Sequence, residues 1–97
     1  MYAVIFRAEI NALDGAYSEM AARMRELAKT KYGCKEFTAV REGDYEIAIS
    51  YWENHDQIES WKQDAEHLAA QELGQSKWYK SYQVQIVEII CEYGKNT

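Results

Sequence analysis

The stretch that decides the fold is Cys34-Lys35-Glu36-Phe37-Thr38-Ala39-Val40-Arg41, followed by Glu42-Gly43-Asp44 and then Tyr45-Glu46-Ile47-Ala48-Ile49-Ser50-Tyr51-Trp52. Two β-prone runs flank a glycine that supplies the positive φ a tight turn often requires, so the segment predicts a hairpin. In the second run Tyr45, Ile47, Ile49 and Tyr51 fall on one face and Ala48, Ser50 and Trp52 on the other.

Upstream, Tyr2 to Glu9 alternates Val4, Phe6 and Ala8 with Ala3, Ile5 and Arg7, a strand with two largely apolar faces. Asp14-Gly15 then opens a helix with Asp14 as N-cap. Leu13, Tyr17, Met20, Ala21, Met24, Leu27 and Ala28 recur at steps of three and four through about Lys31, and Gly33 is placed to stop it. Downstream, Asn54 with Gln57 three residues on resembles a capping box, and Ile58, Trp61, Ala65 and Leu68 stripe a second helix. The run from Asp64 to Tyr79 keeps helical character but contains Gly74, predicting two segments with a bend. Tyr82 to Glu92 reads as the last strand, in which Val84, Ile86, Val87, Ile89 and Ile90 break alternation; a bulge or two-sided burial would account for that.

The element order is strand, helix, strand, strand, helix, strand. This is the ferredoxin-like βαββαβ order of an α+β fold, an antiparallel sheet with helices on one face. The whole chain, residues 1–97, reads as a single domain. Its 97 residues make a modest core, yet 47% are hydrophobic and 13% aromatic, more than so short a chain easily hides. A ligand pocket and a subunit interface would absorb the excess. The sheet face opposite the helices predicts a homodimer in which two such faces meet.

The formal net charge of -5, with Lys and Arg scattered singly among acids, argues against binding nucleic acid. No apolar run approaches the ~18 residues of a membrane span, and Arg7 and Glu9 interrupt the N-terminal apolar stretch too early for a signal peptide. A cytoplasmic protein with no membrane association is expected. Cys34 and Cys91 are far apart and lack the spacing of a metal site, so they read as reduced thiols. No Ser-His-Asp set, phosphate loop or dinucleotide fingerprint is present, and no cofactor is expected.

The chemistry-bearing residues concentrate between Ser50 and Tyr82: Tyr51-Trp52-Glu53, Trp61-Lys62, Glu66-His67, Ala70-Gln71, Gly74, Trp78-Tyr79 and Tyr82. Together with Asp14-Gly15, Met20, Arg23 to Leu27 and Arg41 to Asp44, this order and spacing resembles the antibiotic-biosynthesis-monooxygenase family over nearly the whole chain. The resemblance implies a dimeric α/β barrel with a pocket in each subunit between the sheet and the second helical region. It also implies cofactor-independent oxidation of a small aromatic or quinol-type molecule by oxygen. A non-catalytic small-molecule binding module is the alternative. A third is heme binding or degradation, as in the staphylococcal-type branch. That branch uses an Asn on the first strand, a Trp early in the second helix and a His about ten residues after it. Trp61 matches the Trp, but Gln71 stands at the His position and Arg7 near the Asn position, so two of three fail unless His67 substitutes.

His67 is the candidate catalytic base: on a helix it shares a face with Gln71, Gly74 and Trp78, and its ring titrates near neutrality. Gln71 is the candidate to hold that ring or a substrate carbonyl. Trp52, Trp61, Trp78 and Tyr79 are candidates to sandwich a flat ligand, with Tyr51 lining the pocket. Arg7, on an apolar strand face, must find a carboxylate such as Glu53, an anionic ligand group or water.

Overall fold

The computed structural model describes residues 1–11, 15–64 and 78–95. Six elements follow in chain order: β1 (Tyr2–Ile10), α1 (Gly15–Thr30), β2 (Glu36–Glu42), β3 (Tyr45–Trp52), α2 (His55–Lys62) and β4 (Tyr79–Glu88). The strands form one antiparallel sheet in the order β2-β3-β1-β4. This is the ferredoxin-like arrangement that the element order predicts.

The hairpin closes with Glu42 opposite Tyr45, leaving a two-residue loop whose first residue, Gly43, has φ +59°. A type II′ turn reserves that position for glycine. At the end of α1, Gly33 takes φ +81°, and the Cys34 amide donates to the Ala28 carbonyl (2.8 Å) as the chain turns toward β2. The Asn54–Gln57 capping box forms: the Gln57 amide donates to Asn54 Oδ1 (3.0 Å), and Gln57 Oε1 accepts from the Asn54 and Glu53 amides. Asp14, Ala65, Leu68 and Gly74, with the cap, helical stripe and bend assigned to them, lie outside the described residues.

The core sits between α1, α2 and the helix-facing side of the sheet: Val4, Met24, Ala28, Cys34, Trp52, Ile58 and Trp61. Trp52 and Ile58 are wholly buried. The two core indoles satisfy their N–H groups locally, Trp52 Nε1 donating to Ser50 Oγ (2.8 Å) and Trp61 Nε1 to the Met24 carbonyl (3.2 Å). The second bond ties α2 to α1 across the core.

Three expectations need correction. The second strand begins at Glu36, because the Cys34 thiol turns into the core and donates to the Glu36 carbonyl (3.2 Å). The last strand runs from Tyr79 to Glu88 rather than from Tyr82 to Glu92, and Ile90 and Tyr93 beyond it are almost fully exposed. The register irregularity lies at Glu9/Ile10 opposite Ser81 and Tyr79, not among Val84 to Ile90. Their mixed pattern reflects strand geometry alone: Val84 and Ile86 pair with inward-facing Phe6 and Val4, while Val87 pairs with Ala3 on the outer side.

That outer side carries Ile5, Val40, Tyr45, Ile47 and Ile49 with neither described helix over it, and Val40 and Tyr45 are each 60% exposed. Among the described residues, no helix is long and apolar enough to cross a membrane.

Candidate functional site

A cavity of about 290 Å³ opens between the sheet and the helices. Its position follows from strand alternation. Val4 and Phe6 of β1, Phe37 and Ala39 of β2, Glu46 and Ala48 of β3, and Tyr82 and Val84 of β4 all project to the helix side. The helix wall comes from Tyr17, Met20, Ala21, Met24 and Arg25 of α1 and from Trp61 and Lys62 of α2. The small Ala39 and Ala48, paired across β2 and β3, leave the room that larger side chains would fill. The volume sits near the lower end of the ~300–1,000 Å³ typical of small-molecule sites.

Rings line one end of it. Tyr17 meets Trp78 edge-on at 5.1 Å between centroids and Tyr79 at 5.9 Å, while Phe6 lies 5.5 Å from Tyr79. Within this aromatic wall runs a short polar chain. Tyr79 Oη donates to Tyr17 Oη (3.2 Å), and Tyr17 Oη donates to Glu46 Oε2 (2.5 Å). Burial, first, and then the hydrogen bond to the Glu46 carboxylate push the Tyr17 phenol far above its ordinary range. Burial pushes Tyr79 up to about 12, with the Tyr17 hydrogen bond opposing the rise. Both phenols are therefore neutral hydrogen-bonding groups at physiological pH.

The far end is cationic. Arg25 is eight residues along α1 from Tyr17, about 12 Å at helical rise, and its guanidinium lies 5.3 Å over the Phe37 ring. Lys62 lines the same region from α2. The cavity thus has an aromatic–carboxylate end and a basic, solvent-exposed end.

Trp61, Trp78 and Tyr79, singled out from the sequence, are brought together on this cavity. Trp52 stands behind it: wholly buried, it packs on Trp61 at 5.3 Å and forms the layer beneath the wall. Tyr51 and Arg7 lie on the opposite face of the sheet, because each is one residue out of phase with the cavity-facing positions of its strand. Tyr51 borders a shallow groove there with Ile5 and Ile49, and exposed Arg7 sits across from Ile47 and Gln83. Glu53 pairs with Lys35 (3.8 Å) at the surface instead of with Arg7. His67 and Gln71 lie outside the described residues.

Sequence reading did not single out Glu46 or give Tyr17 a role beyond the helix stripe. The signal was present. Continuing the Ala48, Ser50, Trp52 face two residues back reaches Glu46, a carboxylate at an inward strand position that must find a partner.

Comparison with known proteins places this architecture. No protein-family model matches the chain. The protein YqjZ of Bacillus subtilis (strain 168), described as uncharacterized, is 42% identical over 89 residues, covering 91% of this chain and 78% of YqjZ. The chain belongs to the YqjZ family. Kinship with YqjZ carries no activity with it, and the solved structures add the fold. SnoaB, a cofactor-independent oxygenase from Streptomyces nogalater, superposes with a TM-score of 0.79 at 13% identity, over 97% of both chains. Rv0793 from Mycobacterium tuberculosis gives 0.80 at 12% identity over 96% of this chain and 98% of its own. A candidate antibiotic biosynthesis monooxygenase from Nitrosomonas europaea gives 0.76 at 14% identity, over 94% and 100%. The YqjZ-family chain has the fold of antibiotic-biosynthesis-monooxygenase-type proteins.

Proposed function

We propose that this chain is a cofactor-independent monooxygenase that oxidises a small aromatic or quinol-type molecule with O2 inside the cavity. The observation that carries the reading is the cavity itself: apolar, walled by Trp61, Trp78 and Tyr79, and holding a part-buried phenol–carboxylate chain. A flat ring fits such walls and leaves little room for water. The shared fold with SnoaB supports the same direction.

Without a cofactor, the substrate must supply every electron. Oxidation of a ring CH2 to C=O meets this condition. The carbon gives up four electrons, one oxygen atom of O2 enters the product, and the other leaves as water. Loss of the phenolic proton makes the ring electron-rich enough to react with oxygen, and His67 is the proposed base for that step. It belongs to the segment joining Asp64 to Trp78, both of which border the helix side of the fold. Two copies joined through the uncovered sheet face are the proposed assembly.

The test is oxygen uptake with a panel of phenolic dihydroaromatics and hydroquinones. Substrate-dependent uptake that His67→Ala abolishes, with the assembly unchanged in native mass spectrometry, is expected. Uptake unaffected by His67→Ala would remove His67 as base. A second reading, a binding module without turnover, is favoured by one feature: burial raises the phenols of Tyr17 and Tyr79 and so makes them poor bases. It predicts saturable binding of the same compounds with no oxygen consumed.

A further inference from the structure

Counting hydroxyl protons shows what the polar end of the cavity offers a ligand. A phenol has one proton to donate. Tyr17 commits its proton to Glu46 Oε2, so Tyr79 must be the donor in the Tyr79–Tyr17 bond. What remains on the Glu46–Tyr17–Tyr79 chain is lone pairs, on Tyr79 Oη and on the second Glu46 oxygen, which has no partner among the described residues. The Tyr82 hydroxyl borders the same cavity. The Nε1–H of Trp78, a residue only 2% exposed, has no hydrogen-bond partner among the described residues.

We infer that the Glu46–Tyr17–Tyr79 chain is the specificity element of the cavity, selecting ring compounds that bring a hydroxyl hydrogen to its lone pairs and discriminating against ethers and anions. A hydroxyl suits the place because it donates to the lone pairs of Tyr79 or Glu46. A methyl ether can only accept, and an anionic oxygen meets the Glu46 carboxylate at close range. Tyr17 is here a positioning residue: it fixes which way the Tyr79 proton points. The inference deepens the proposed function by naming how that same cavity reads its substrate.

The experiment measures binding of 2-naphthol and 2-methoxynaphthalene to the full chain by isothermal titration at neutral pH under argon, where no oxidation occurs. The naphthol should bind roughly tenfold more tightly than its ether, as expected for one hydrogen bond to a charged acceptor. Glu46→Gln is nearly isosteric. Tyr17 can still donate to its carbonyl, so the amide NH2 replaces the free oxygen and the preference should vanish or reverse. Tyr17→Phe frees the Tyr79 proton and should also narrow the gap, and circular dichroism establishes that each variant is folded. Equal affinities in the wild type, an undiminished preference in folded Glu46→Gln, or no saturable binding of either probe would each overturn the inference. A retained naphthol preference with no oxygen uptake would sink the monooxygenase reading and leave this one standing.

Discussion

Gly33→Ala should destabilise the fold through two separable effects, and the structure gives the size of each. The first is backbone conformation: at φ +81° an alanine carries the left-handed penalty of ~1–2 kcal/mol that glycine avoids. The second is steric. A Cβ at position 33 would sit 2.6 Å from Gln57 Nε2, so the Gln57 side chain must move. That side chain closes the capping box of α2 by accepting from the Asn54 and Glu53 amides, and losing these hydrogen bonds costs ~1 kcal/mol while the Asn54 cap itself stays. The sum is ~2–3 kcal/mol, which for a domain of this size lowers Tm by roughly 10–20 °C. Urea or thermal denaturation of Gly33→Ala, Gln57→Ala and the double variant forms a double-mutant cycle. In the Gln57→Ala background only the backbone penalty should remain, so the cost of Gly33→Ala should fall by about 1 kcal/mol. A Gly33→Ala loss below ~0.5 kcal/mol, or the same loss in both backgrounds, would refute the reasoning.

Two further outcomes are expected. Tyr79 titrates at about 12 in the folded chain against 10.0 for the free phenol, so the folded state holds its proton longer. Stability from this group is intact below pH 10 and lost as pH rises through 12. Discounted for solvent screening at this part-exposed group, the shift corresponds to ~1–2 kcal/mol, the extra loss wild type should show over Tyr79→Phe in urea melts between pH 9 and 12; parallel pH profiles would count against the part-buried phenol chain. On the other face, Ile47→Glu places a charge on the apolar side of the sheet, next to Tyr45 and Ile49 in the same strand. Native mass spectrometry should show a wild-type dimer and an Ile47→Glu monomer with an unchanged far-ultraviolet spectrum. A wild-type monomer would remove the proposed face-to-face assembly.

The fold was readable because its signals are local and agree with one another. Alternation in β1 and β3, the three-four stripe from Tyr17 to Ala28, Gly43 in the turn and Asn54–Gln57 at a helix start all specify one arrangement. Site residues were harder, because membership depends on phase and register. Trp61 was legible from its place in a helix stripe. Tyr51 and Arg7 carry suitable chemistry but fall one residue off the cavity phase, and composition does not reveal which face of a two-sided apolar strand meets the helices. Glu46 and Tyr17 are 29 residues apart, and their hydrogen bond exists only once β3 and α1 are packed.

The register irregularity shows how finely that phase decides the site. From Val84 and Tyr82, opposite Phe6 and Ala8, regular alternation would carry the inward face to Lys80 and turn Tyr79 outward. Instead the pairing passes from Glu9–Ser81 to Ile10–Tyr79, skipping Lys80. One extra residue in β4 returns Tyr79 to the side of buried Ile10 and leaves Lys80 exposed. The Asn11 amide then donates to the Trp78 carbonyl (2.7 Å), fixing the chain where it enters the strand. Consecutive residues Trp78 and Tyr79 can thereby line one cavity, which a flat two-residue repeat forbids. The proton order that makes Tyr79 an acceptor toward a ligand thus depends on a bulge, and a β4 without it would place a lysine where the phenol chain begins.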